Sequence, residues 1–272
     1  MRERLSDALR RSRKARHGTE LLCERIYRPL AHVLVVPLAW LRTPPPLVAA
    51  ASGVTGLAAA VELGRGELLA AALVLQLKTV LDNADGQLAR LTGRLTAFGR
   101  YLDSVLDLFV DAALFAALAW RAGAVVLPLV GFLALTAVLS VNFNVERLRR
   151  AEHEGATATA TDADTGRATE RLRRAYALLY GWQDALVEGY GERRLRGRTP
   201  AERLAWHDGV TVSVLANLGL STQLAAFGVL VALGRPLAFA WLALAELGLV
   251  AALAVRREAL VRGPHNPRQE IA

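Results

Sequence analysis

A lone cysteine, Cys23, excludes a disulfide framework within these 272 residues and any site built from several thiolates. Histidine is nearly as sparse: His17, His32, His153, His207 and His265 are scattered without ligand spacing, so a histidine metal centre is not expected. No repeat of solenoid length is present, which sets aside repeat architectures. Aromatic residues make up only 6% of a chain that is 53% hydrophobic, and the mean hydropathy is positive. Small and aliphatic side chains therefore carry the apolar character, which suits a bundle of membrane helices better than a soluble domain.

A formal net charge of +8 would ordinarily suggest nucleic acid or anionic lipid, but its distribution decides between them. Apolar segments at about 47–63, 68–91, 95–120, 125–144, 209–233 and 237–255 read as six transmembrane helices. An even number returns both termini to one side. On that side fall 29 of the 33 lysines and arginines, against Arg65, Arg121 and Arg235 on the other. The excess marks the basic side as cytoplasmic in a cell membrane and leaves nucleic acid out as a partner.

The expected fold is all-α, a polytopic membrane helix bundle of six transmembrane helices preceded by an N-terminal interfacial amphipathic helix. That first helix is placed at 26–41, too short to span, interrupted by Pro29 and Pro37, with Trp40 at headgroup level. The same prolines and Arg42 argue against a cleaved signal peptide. Residues 1–46 form a basic cytoplasmic tail with the interfacial helix, and 47–144 form transmembrane helices 1–4 with the acidic motif described below. Residues 145–206 form a cytoplasmic insertion, 207–255 transmembrane helices 5–6, and 256–272 a cytoplasmic tail. Arg10, Arg11, Arg13, Lys14 and Arg16 are either solvated or held by anionic headgroups. Within the insertion the small-residue tract at 155–166 is expected to be a mobile link, followed by a helical pattern at 167–194.

Charge inside a spanning segment costs at least a few kcal/mol, so its concentration in the second and third segments points to a site. Asp82 and Asp85 lie at i, i+3 on one helix face, and Asp103 and Asp107 at i, i+4 on one face of the next. Gly93 with Arg90, Arg94 and Arg100 between them suggests a short basic turn joining antiparallel helices. Counted inward from Leu68, Asp82 and Asp85 lie about 21 and 26 Å along; counted back from Trp120, Asp107 and Asp103 lie about 20 and 26 Å along. Four carboxylates at one level make a hard oxygen site suited to two Mg2+ or Mn2+ ions, not zinc. Gly86 and Gly99, each one turn from an acid, leave the backbone open to a ligand. Lys78 is one turn from Asp82 and is read as its ion-pair partner, while Asp111 lies one turn deeper than Asp107 and is read as tuning it.

Other readings of the acids are weaker. A calcium loop with Gly86 at its sixth position would put Leu81 and Thr92 where the acidic ligands belong. Membrane prenyltransferases of the aromatic-acceptor type want a third Asp where Ala89 stands. A purely structural cluster would ask Lys78 and Arg90 to neutralise four acids and Asp111. A transporter or scaffold that binds cations without chemistry is the alternative of another class.

Asp82, Asp85, Gly86, Ala89, Arg90, Gly99, Asp103 and Asp107 follow the pattern D-x-x-D-G-x-x-A-R-x8-G-x-x-x-D-x-x-x-D, and in this the chain resembles the CDP-alcohol phosphatidyltransferase family. The resemblance implies transfer of a substituted phosphate from a CDP-linked donor, with CDP-diacylglycerol placed first, to the hydroxyl of a small polar alcohol, releasing CMP. A soluble CDP-linked polar alcohol as donor, with a lipid or inositol-phosphate-type acceptor, is the alternative. Carried over by position, Asp82, Asp85 and Asp103 would hold the metal ions, with Asp107 as base and further metal contact. Gly86, Ala89 and Gly99 would make room for the cytidine, and Arg90 would meet a donor phosphate. Arg147, Arg149 and Arg150, leaving the fourth segment on the acidic side, are candidates for an acceptor phosphate or serve as topology charge. The family usually has Pro-Asn-x-x-Thr where this chain has Pro46, Leu47, Val48, Ala49 and Ala50, which questions the nucleotide contacts of that helix; Ser52 and Thr55 are read mainly as packing groups. A homodimer is also implied, for which Gly53 and Gly56 are the local feature.

Overall fold

The computed structural model describes residues 20–154 and 166–261. The basic run at 10–16, nearly all of the 155–166 tract and the tail from 262 lie outside the described residues. Every regular element among the described residues is helical. A π-helical turn, Cys23–Tyr27, leads into α1 (Arg28–Trp40), followed by α2 (Pro45–Arg65), α3 (Leu68–Thr92), α4 (Ala97–Ala122) and α5 (Val126–Glu154). The inserted helices are α6 (Arg167–Leu179), α7 (Gly181–Leu195) and α8 (Pro200–Trp206), and α9 (Gly209–Ala216), α10 (Leu220–Ala232) and α11 (Ala238–Val261) complete the chain.

Local chemistry sets the boundaries. Pro44 is extended and prolines occupy the first turn of α2, where a missing N–H leaves no helical bond unmade. Gly93 ends α3 in the left-handed region, φ +67°, which other L-residues rarely adopt. The chain reverses there, and Thr96 caps α4 by accepting from the Gly99 N–H at 3.0 Å. These two caps make α3 and α4 an antiparallel hairpin whose closed end lies near the acids.

Apolar packing then holds the bundle. Leu63, Leu75, Leu114, Leu118, Leu135 and Leu224 are buried in one cluster that joins α2 through α5 with α10 and α11. In it the Phe227 and Phe239 rings stack with centroids 4.4 Å apart. Small residues bring α2 close to α4: a methyl group on Gly56 would lie 2.6 Å from both Val110 methyls, and one on Gly53 would lie 3.1 Å from Leu106. These glycines are therefore occupied within the protomer, against the acidic helix, and do not bear on a dimer contact.

Among the described residues, three helices are long and apolar enough to cross a membrane, at Pro45–Arg65, Val126–Glu152 and Ala238–Leu260; Gly209–Ala216 and Leu220–Ala232 qualify together but are bent by 43°. Helices α3 and α4 have the length, 25 and 26 residues, but not the composition. Lys78, Asp82 and Asp85 interrupt the first, and Asp103, Asp107 and Asp111 the second.

The structure departs from the sequence expectation at several joints. The segment expected to be continuous at 209–233 is broken, because the Asn217 amide donates to the Ser213 carbonyl (2.8 Å) while its oxygen accepts from the Leu21 N–H (3.0 Å). The residues before the π-helical turn thus reach across to stabilise the break. Helices α5 and α11 run past the expected ends at 144 and 255, since no proline or glycine stops them there. Helix α1 is not merely laid on a surface: Arg28, Ala31, His32 and Val35, at i, i+3, i+4 and i+7, are buried, and Ala31 and Val35 pack with Val48, Ala84 and Leu88. Its other face, with Val33 and Trp40, is exposed.

The inserted helices are stitched to the end of the bundle where α3 and α4 meet. Thr199 and Glu202 form a reciprocal capping box on α8, and Asp208 caps α9. Between them His207 is almost fully buried, with Nδ1 3.2 Å from Arg257 Nη2, an edge-on contact with Trp206, and its carbonyl accepting from Arg149. Burial, and then the Arg257 charge, push the imidazole down to about 4. Because this lies below the unfolded value of about 6.5, the unfolded chain takes up the proton first as pH falls. Stability is therefore full above about pH 6.5 and is lost toward pH 4, by up to about 3 kcal/mol from this group. Thermal unfolding between pH 7 and 4.5 should show that decline, and His207→Gln should flatten it.

Candidate active site

Helix α3 carries Lys78, Asp82 and Asp85 at i, i+4 and i+7, and α4 carries Asp103, Asp107 and Asp111 at i, i+4 and i+8, so each helix turns one polar stripe toward its partner. Carboxylate oxygens of Asp82, Asp103 and Asp107 all lie within 4.8 Å of one another. Lys78, 1% exposed, sits at the base of this group with Nζ 2.9 Å from Asp82 Oδ1 and 2.5 Å from Asp107 Oδ1. The Asp82 and Asp107 side chains retain 16% and 17% exposure, so the cluster is open to a ligand although its lysine is sealed. Helix α2 braces it through Ser52, whose hydroxyl donates to the Lys78 carbonyl at 3.2 Å. Thr55 instead bonds back to Ala51 of its own helix.

Of the four acids expected to chelate together, three are gathered. Asp85 is buried beside them and outside the three-acid group, with Oδ2 lacking a hydrogen-bond partner. A buried carboxylate oxygen with no partner is costly unless a cation or water meets it. The donor set is thus oxygen alone, three acids with a fourth at hand, and it fits a hard divalent cation such as Mg2+ or Mn2+. Asp111 is buried one turn deeper than Asp107, as its spacing requires.

The residues expected on the nucleotide side surround the same end. Ala89 is buried in α3. The space over Gly86 is taken by the tip of Arg90, whose Nη1 lies 3.2 Å from where a Cβ would be. That guanidinium is the far end of a long side chain, so the gap over the Gly86 backbone is filled by a side chain and not by a neighbouring backbone. A Cβ at Gly99 would lie 3.2 Å from Thr96 Oγ1 and 3.9 Å from Pro46 Cγ, which puts the altered 46–50 segment directly beside Gly99.

The three arginines after α5's apolar part are each engaged by protein groups. Arg147 donates to Asn144 Oδ1 at 2.8 Å and pairs with Glu188. Arg149 donates to the His207 carbonyl and Arg150 pairs with Glu146 at 2.9 Å. All three thus tie α5 to itself or to the inserted helices.

Two features escaped the sequence reading. Lys78 bridges to Asp107 as well as Asp82, a contact 29 residues apart that only the matching depths of the two stripes could have hinted at. Helix α6 lies along α4, with the Tyr176 ring 5.4 Å from Tyr101 and 5.1 Å from Tyr180, and with the Tyr180 hydroxyl donating to the Ser104 carbonyl at 3.3 Å. Tyrosines at i, i+4 were visible in the insertion, but nothing in the sequence named the helix that would receive them.

Residues 42–166 match the family model described as CDP-alcohol phosphatidyltransferase. The chain is 36% identical over 119 residues to the bifunctional IPC transferase and DIPP synthase of Aquifex aeolicus, covering 42% of this chain and 28% of that protein. It is 39% identical over 84 residues to the protein of the same description from Thermococcus kodakarensis, covering 30% and 19%. With the phosphatidylinositol phosphate synthase of Corynebacterium glutamicum it shares 37% identity over 98 residues, covering 34% and 45%. The chain therefore spans less than half the length of each of these relatives. No solved structure matches it.

Proposed function

We propose, on the premise that residues 42–166 belong to the CDP-alcohol phosphatidyltransferase family, that this protein transfers a substituted phosphate from a CDP-linked donor to an alcohol and releases CMP. The observation that carries the reading is the meeting of Asp82, Asp103 and Asp107 from two helices around a shared space, with every family-motif position in register. CDP-diacylglycerol with a small polar acceptor is the preferred pair. In the transfer, the acceptor oxygen bonds to the phosphorus bearing the alcohol substituent, the bond from that phosphorus to the oxygen of CMP breaks, and CMP leaves with that oxygen. Asp107 takes the proton of the acceptor hydroxyl, and Lys78 restrains its carboxylate. Asp82, Asp85 and Asp103, with Asp107 as a further contact, would hold two Mg2+ or Mn2+ ions, which when bound neutralise the pyrophosphate and stabilise the departing CMP. Gly86, Ala89 and Gly99 make room for the cytidine, and Arg90 swings to a donor phosphate.

The setting completes the proposal. Helices α3 and α4 join the apolar helices as spans, with α9 and α10 forming one bent span, giving six. The proposed domain limits are those read from the sequence, with α5 and α11 extending beyond 144 and 255 on the same side, both termini and the acidic site facing the cytoplasm, and a homodimer as the working unit. A second reading, an inositol-phosphate-type acceptor, is favoured by the similarity to a protein named phosphatidylinositol phosphate synthase.

The test is CMP release by the purified protein from CDP-diacylglycerol or a soluble CDP-alcohol, with inositol, inositol phosphate, glycerol phosphate and serine as acceptors. EDTA should lower the rate by at least about 100-fold, and Mg2+ or Mn2+ should restore it. Cation-dependent transport without CMP release would identify a transporter instead.

A further inference from the structure

The family match ends at residue 166, one residue before α6 begins, yet α6 is packed against α4 beside the acids, and α7 in turn packs on α5 and α6. We propose that this insertion supplies one wall of the acceptor half of the site, with the Tyr180 hydroxyl positioning a hydroxyl of a polyol acceptor beside Asp107. The inference rests on the transferase reading given above.

Register supports it. Ser104, Asp107 and Asp111 stand at i, i+3 and i+7, one stripe of α4, and Tyr101 continues that stripe one turn earlier. The Tyr176 ring meets Tyr101 at a tilt, and Tyr180, one turn on at the C-terminal cap of α6, reaches the Ser104 carbonyl. The tyrosine ladder therefore runs parallel to the acidic stripe and ends level with it. Burial, and then the charges of Asp111 and Asp107, hold the Tyr180 phenol above its ordinary range, so it stays protonated. A phenol that donates to a carbonyl still has lone pairs to offer. Carboxylates only accept, so the group that complements both Tyr180 and Asp107 is an O–H donor.

The rest of the wall is arranged in advance. The Tyr176 hydroxyl donates to Asp184 Oδ2 at 3.2 Å, Asn144 donates to Asp184 Oδ1 at 2.7 Å, and Arg147 donates to Asn144 at 2.8 Å. The first two links join α6 and α5 to α7, the third braces Asn144 within α5, and together they fix where Tyr180 stands. The shared chemistry recognised is a polyhydroxylated acceptor, and inositol against inositol phosphate distinguishes whether that acceptor also carries a phosphate.

The experiment is steady-state kinetics on the full-length protein in lipid nanodiscs with Mn2+ and CDP-diacylglycerol, using whichever acceptor of the panel supports release of CMP. Tyr180→Phe, which keeps the ring packing, should raise the acceptor KM about tenfold while the donor KM moves less than about twofold. Tyr176→Phe should raise the acceptor KM about threefold by loosening Asp184. Should Tyr180→Phe fail to fold, Tyr176→Phe carries the test alone. An unchanged acceptor KM in the folded variants, or donor and acceptor parameters falling together with the thermal midpoint, would overturn the inference and leave the transferase reading standing. Absence of metal-dependent CMP release from the unaltered protein would overturn both.

Discussion

Asp107→Asn should lower CMP release by roughly two to four orders of magnitude while leaving a folded membrane protein. The change is isosteric. An amide oxygen still accepts from Lys78, and the Lys78–Asp82 pair at 2.9 Å is untouched, so the hairpin of α3 and α4 keeps its central polar contact. Under the proposed role of Asp107, what is lost is the ability to take a proton from the acceptor. Asp82→Asn and Asp103→Asn should also be nearly inactive, for a different reason: each removes a charged oxygen from the group that fits the cation. Raising Mn2+ should recover part of the activity of those two variants and little of that of Asp107→Asn. Full activity in purified Asp107→Asn would refute the base assignment, and equal recovery of all three by metal would reduce Asp107 to a ligand.

That the acidic cluster could be read from one sequence follows from where its information lies. The spacing of Asp82 and Asp85, and of Asp103 and Asp107, is helical, and Gly93 marks the reversal between them. Those are local facts, and they suffice to bring three acids together. Asp85 already escapes them, because a residue three positions from Asp82 is also displaced around the helix, and the hairpin's rotation decides whether it faces the centre. The Lys78 bridge to Asp107 depends on the same rotation. Less still could be read of the joints made by distant backbone: the break after Ala216 is stabilised by the Leu21 N–H, 196 residues away. The docking of α6 on α4 is of this kind too, since a tyrosine does not announce which carbonyl it will meet. Arg147 and Arg150, left open between holding an acceptor phosphate and serving as topology charge, are paired with Glu188 and Glu146, contacts that their spacing alone does not show.

Lys78→Met should give the largest change in stability of any single substitution near the site, and the change should depend on metal. In the absence of a divalent cation, Lys78 is the charge that the structure sets between Asp82 and Asp107, and it is 1% exposed. Removing one partner of a buried pair leaves the other uncompensated and costs about 3–5 kcal/mol. Methionine fills much of the same volume, so the loss would be electrostatic rather than a cavity. A bound cation neutralises the same carboxylates, and an ion present at 100 times its dissociation constant contributes about 2.7 kcal/mol to the folded state. The variant should therefore unfold at much lower temperature than the parent in EDTA and approach it as Mn2+ is added. Lys78 and the cation also compete for the same oxygens, so Mn2+ should bind Lys78→Met more tightly than the parent, by calorimetry, even as catalysis falls through poorer restraint of Asp107. Equal stability of the two proteins in EDTA would show that the acids are already neutralised by protonation or by another group, and the lysine would then have no part in holding the site ready for its metal.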